Sequence, residues 1–72
     1  MTSDELIDEY NKTAETIARL RAQMNQPSVD HEQWTAEMEQ IYVRREKLRT
    51  NFMFYSQGWE HIDRMKAIQV FF

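Results

Sequence analysis

From Asp30 to Phe72 the chain holds a single glycine, Gly58, and no proline, so almost nothing in this stretch interrupts a helix. Along it Trp34, Met38, Ile41, Leu48, Phe52, Tyr55, Trp59 and Ile62 recur at steps of four, three or seven, the spacing of an apolar stripe down one side of an α-helix. The stripe predicts an all-α fold with a long helix over about residues 31–71. Whatever precedes that helix must offer a surface for it to lie against.

Residues 1–30 supply one. Thr2 and Glu5 stand in the T-x-x-E relation of a capping box, which satisfies free N–H groups at a helix start. Asp4, Glu5, Asp8 and Glu9 follow, where the helix dipole favours negative charge. Leu6, Tyr10, Thr13, Ile17, Leu20 and Met24 then alternate steps of four and three, the seam of a coiled-coil-like pairing in which Thr13 is the weak point. A helix over about residues 3–25 is expected. Gln26 precedes Pro27 and is pushed out of the helical region, and Asp30 with Gln33 repeats the capping box in front of Trp34. A turn over residues 26–30 makes two neighbouring helices antiparallel, a helical hairpin.

Charge supports that hairpin. Residues 1–40 carry nine acids and three bases, a balance of −6, whereas residues 41–72 carry three acids and six bases, a balance of +3. Folding about Pro27 and Ser28 brings together positions whose numbers sum to about 55, so that Leu6 meets Leu48 or Phe52, Tyr10 meets Arg45 and Ile17 meets Met38. The acids of the first turns then fall beside Arg44, Arg45, Lys47 and Arg49.

The two helices differ in length. At 1.5 Å per residue the first spans roughly 35 Å and an unbroken second one roughly 60 Å. The first therefore ends near Phe52, and the apolar side chains beyond it need a cover. If the helix runs on through Gly58, the overhang pairs with a second copy and the protein is a homodimeric helical bundle. If Ser56, Gln57 and Gly58 break it, residues from Trp59 fold back as a third helix of a single-chain bundle. Phe52, Tyr55, Trp59 and Ile62 keep their phase straight across Gly58, which favours the continuous helix and the dimer.

Composition narrows the chemistry. With 72 residues and no cysteine, the chain has neither a disulfide nor a thiolate metal site and must rely on packing or a partner. Met1–Tyr10 is acidic and lacks a secretory signal pattern. The longest apolar run, Phe52 to Tyr55, is far too short to span a membrane. A cytoplasmic location is the expectation. His31 and His61 stand thirty residues apart without a second histidine nearby, so a metal site is not expected. The carboxylates lie in the surface pattern of helices too few to enclose a pocket, and acid–base catalysis needs one. The lone glycine excludes a glycine-rich phosphate loop. Neither an enzyme nor a cofactor is expected.

Two clusters remain. Arg44, Arg45 and Arg49 precede aromatic residues, a combination that single-stranded nucleic-acid surfaces use; the overall charge of −3 and the acids facing these arginines oppose it. The aromatic tail is the stronger signal, because Trp, Tyr, Phe and Met dominate interface hot spots. Phe54, Tyr55, Trp59, Ile62, Met65 and Phe72 are the expected partner contacts. The first-ranked function is a non-catalytic protein-binding module: an adaptor, inhibitor or chaperone-like regulator, with a viral accessory protein as one candidate. A structural subunit of a particle or filament ranks second, and a dimeric RNA-binding hairpin third.

Overall fold

The computed structural model describes all 72 residues. It is all-α, with four helices in the order α1 (Ser3–Gln23), α2 (His31–Thr50), α3 (Phe52–Tyr55) and α4 (His61–Phe71). Both expected capping boxes place their N-caps correctly. Thr2 Oγ1 accepts from the Glu5 N–H at 3.2 Å, and Asp30 Oδ1 accepts from Glu32 and Gln33 at 3.1 and 3.3 Å.

At its other end α1 stops two residues short of expectation. The Met24 N–H tightens onto Arg21 O, a 3₁₀-type bond common at helix ends. That leaves Leu20 O open to the Trp34 indole, which donates to it at 2.6 Å. One indole therefore ties the start of α2 to the last turn of α1.

Helices α1 and α2 run antiparallel. Trp34 reaches Leu20, Arg45 reaches Thr13 and Arg49 reaches Tyr10, so positions rise on one helix as they fall on the other. Arg45 also lies over the Tyr10 ring, the pairing read from the sequence. The charge pairing is narrower than expected: of the four early acids only Glu9 meets an α2 arginine, Arg44. Asp8 turns to Lys12 and Asp4 to Lys66. Arg45 and Arg49 are engaged elsewhere, as described below.

The long second helix is corrected by the structure. It is interrupted first at Asn51, whose dihedrals (φ −92°, ψ 13°) leave the α region, and then across residues 56–60. Gly58 takes φ +81°, the left-handed conformation that glycine reaches without a Cβ penalty. The freed backbone groups find partners: the Ser56 carbonyl accepts from the Trp59 N–H at 3.1 Å and from Arg64 Nη2 at 3.2 Å. The Ser56 hydroxyl bonds back to Met53 O, a local alternative to continuing the helix.

Beyond the break α4 returns along α1. Trp59 donates to Met1 O, Lys66 faces Asp4 and Phe71 stacks on Tyr10. Numbers rise together on both elements, so α4 is parallel to α1 and antiparallel to α2. Ala67 and Phe71 enter a core with Leu6, Tyr10, Leu48 and Phe52. Thus the chain itself covers part of the apolar overhang, while Met53, Phe54, Ile62, Met65, Val70 and Phe72 stay exposed.

With 11 residues, α4 reaches roughly 16 Å and covers only the half of the hairpin nearest the N-terminus. The other half is two helices thick, and the whole measures 48 × 18 × 16 Å. Adjacent side chains at the end of α4 have opposite fates: Phe71 is 2% exposed and Phe72 74%. Phe71→Ala is expected to cost about 3 kcal/mol or more and Phe72→Ala less than about 1 kcal/mol. Urea unfolding followed by far-UV circular dichroism measures both, and equal costs would contradict this docking of α4.

Candidate partner-binding surface

The surface is best built outward from Tyr10, which lies almost fully buried where α1, α2 and α4 meet. Its ring stacks on Phe71 with centroids 4.3 Å apart and an interplanar angle of 24°. The Arg45 guanidinium carbon lies 4.1 Å from the same centroid. Two groups this close cannot share one face, so the ring is sandwiched between a cation and an aromatic ring. Its hydroxyl accepts from Arg49 Nη2 at 3.0 Å.

Thr13, the polar residue in the α1 seam, completes the arrangement. It is buried, its hydroxyl donates to Tyr10 O, and it accepts from Arg45 Nη1 at 3.0 Å. A buried hydroxyl costs little when both of its bonds are made. The apparent flaw in the stripe is therefore the seat of Arg45.

Around this centre the six expected contact residues separate into two groups. Phe54, Ile62, Met65 and Phe72 are exposed, at 70%, 73%, 43% and 74%. Tyr55 and Trp59 are half-buried and pack against the core. Trp59 meets the edge of Phe52 with centroids 6.0 Å apart and donates to Met1 O at 3.0 Å. It secures the turn, which makes it a positioning residue rather than a free contact.

Met53, at 77% exposure, belongs to the outward set and was missed among the expected contacts. Its place inside the apolar run from Phe52 to Tyr55 was the available signal: in a one-turn helix only one of four consecutive apolar residues, Phe52, is buried. Phe54 and Tyr55 meet edge to face with centroids 5.8 Å apart. Six of the ten exposed large apolar residues lie on α3, on α4 and at the C-terminal ring, while Met1, Met24, Tyr42 and Val43 lie apart from them.

The nucleic-acid option divides in the same way. Arg45 and Arg49 are committed to Tyr10 and Thr13. Arg44 is exposed but pairs with Glu9. It lines an open groove of about 930 Å³ together with Lys47, Arg19, Glu9, Glu37 and Glu39. Acids are interleaved with bases along its lining, so its charge is mixed.

His31 and His61 are exposed and far apart in sequence, and no three His, Asp or Glu side chains stand together as metal ligands. Lys12 is held above the usual lysine pKa, first by its hydrogen bond to Asp8 and then by the Asp8 and Glu9 charges. That direction keeps it protonated, the opposite of what a lysine nucleophile needs. No helix is long and apolar enough to cross a membrane.

No protein-family model matches the chain, and comparison with curated proteins and with solved structures gives no match. The functional reading therefore rests on the surface just described.

Tyr10→Phe keeps the stack and removes the acceptor of Arg49; a loss of about 1 kcal/mol is expected. Glu9→Gln, at the exposed pair with Arg44, is expected to cost between about 0 and 1 kcal/mol. Chemical denaturation of the two variants beside the unaltered protein measures the difference. A larger loss from Glu9→Gln than from Tyr10→Phe would contradict the central place given to Tyr10.

Proposed function

We propose that this protein is a small non-catalytic interaction module, an adaptor, inhibitor or chaperone-like regulator working in the cytoplasm, that presents an apolar helical face to a larger protein. One observation carries the reading. Met53, Phe54, Ile62 and Phe72 are each at least 70% exposed, although the chain folds back to bury Tyr10, Phe52, Ala67 and Phe71. Single exposed apolar residues are ordinary on protein surfaces, but six of the ten exposed large apolar side chains fall within residues 53–72, and such a concentration supports an interaction site. Rings and thioethers of this kind anchor hot spots in partner pockets.

Phe54 and Met53 are the primary anchors, because they project from a one-turn helix and take no part in the core. Ile62, Met65 and Phe72 extend the contact along α4. Self-association through the same residues is a second route for covering them, and open-ended self-association is what a particle or filament subunit requires.

Affinity capture from cells that produce the protein tests the reading, with the triple variant Met53→Ser, Phe54→Ser, Phe72→Ser as control. The unaltered chain is expected to retain a protein in near-stoichiometric amount and the variant to lose it, with helicity by circular dichroism unchanged. Retention of the same protein by both, or of RNA alone, would overturn the proposal.

A further inference from the structure

We infer that two copies of this chain exchange α4, by straightening the turn at Gly58–Glu60, to form a closed dimer in which each α4 fills the other chain's site. The occupant proposed for that site is a second copy and nothing else. This goes beyond the binding reading and does not depend on it.

Four observations converge. The turn that sends α4 back is short: Gly58 alone has positive φ, and Glu60 is extended at φ −72°, ψ 158°. Next, the helical phase is unbroken in the sequence, since Phe52, Tyr55, Trp59 and Ile62 follow at steps of three, four and three. In the turned chain Ile62 leaves that line and is 73% exposed; in a straight helix it returns to it.

Third, α4 is apolar on two sides. Ala67, Ile68 and Phe71 face the hairpin, whereas Ile62 and Met65, three residues apart, face outward, and Phe72, just past the helix, is 74% exposed while its ring meets Phe52 at 6.0 Å. Exchange covers Ile62, which falls nearest the two-fold axis, and leaves Met65 open.

The fourth is direction. Within one chain α4 lies antiparallel to α2 and parallel to α1. Apply a two-fold axis perpendicular to the long axis and passing near Gly58–Glu60. The straight continuation of one α2 then runs antiparallel to its partner's α2 and parallel to its partner's α1, which is the orientation the vacated site requires. Phe71 stacks on the partner's Tyr10 and meets the partner's Phe52, so every core contact of α4 is made again between chains. Near the axis Ile62 of one long helix meets the partner's Trp59, which covers its side chain. Exchange of an identical element is a low-cost route to a dimer because the interface already exists.

Two substitutions push the equilibrium in opposite directions. A Cβ on Gly58 would meet nothing within 4 Å, so Gly58→Ala acts through the backbone alone. It disfavours the left-handed turn and favours the straight helix, by roughly tenfold or more per chain and about a hundredfold or more in the dimer dissociation constant. His61→Pro acts the other way. His61 is the first residue of α4 after an extended Glu60, a position where proline fits. Inside a continuous helix the same proline disfavours the straight form by about a hundredfold per chain.

Sedimentation equilibrium over a concentration series reads the dissociation constant. Exchange is read in a background carrying Asp4→Cys and Lys66→Cys, whose side chains face each other on the surface at 3.8 Å in a chain with no other thiol. A short bis-maleimide then links them within one chain if α4 is turned and between chains if it is exchanged. Gly58→Ala is expected to dimerise more tightly than the unaltered chain and to give covalent dimers, and His61→Pro to remain monomeric with an internal link. A Gly58→Ala protein that stays monomeric at millimolar concentration would overturn the inference. So would a dimer that links only within chains, or a His61→Pro protein that dimerises as well as the unaltered chain. None of these three failures touches capture of a different protein through Met53 and Phe54, which is measured separately.

Discussion

The fold depends on the contact between Phe71 and Tyr10. A 21-residue α1 and a 20-residue α2 can pair on their own, but their shared core is thin, and small scaffolds rarely gain enough from such a core alone. Phe71 changes this by closing the sandwich on Tyr10 opposite Arg45. Burying a side chain of this size contributes about 2 to 3 kcal/mol, a large fraction of the stability of a domain this small. The contact also explains two basic side chains turned inward. Arg45 donates to Thr13 and Arg49 donates to Tyr10, so each is half-buried at the edge of the core.

From that contact follows the uneven thickness of the molecule and the location of its exposed rings. Phe71 must arrive at Tyr10 from the N-terminal end of α1, so α4 lies over that half, and the turn before it falls beyond the bundle end. The turn uses Gly58 and the Ser56 carbonyl, and α3 is left projecting beside it. Met53 and Phe54 point outward because the one inward position of that helical turn belongs to Phe52. The exposed apolar surface is the remainder of a sequence that supplies more large side chains than one copy can enclose.

Much of the architecture was legible in the residues. Thr2 and Asp30 announce their helices through side-chain caps, and the pairing of Tyr10 with Arg45 follows from the position of Pro27 alone. These signals are local, or need only the fold of one turn. The break in the long helix was legible at Ser56–Gly58 only as the less favoured of two alternatives, because the three-and-four spacing from Phe52 to Ile62 is the same whether the helix continues or turns. What selects the turn is a distant contact, Phe71 on Tyr10, and periodicity carries no record of it. The same limit divides the candidate surface: Phe54, Ile62, Met65 and Phe72 are outside as expected, while Trp59 and Tyr55 went inward once α4 returned. Met53 was hidden by its neighbours, since a run of four apolar residues does not say which one is buried.

The central claim is that one chain brings its own Phe71 onto Tyr10. The most direct measurement is the set of nuclear Overhauser effects between aromatic protons in a sample dilute enough to be monomeric. Strong cross-peaks between Tyr10 and Phe71, with none between Tyr10 and Phe54, are the result this account predicts. A dilute monomer with sharp helical signals in which Tyr10 and Phe71 show no cross-peak would contradict it.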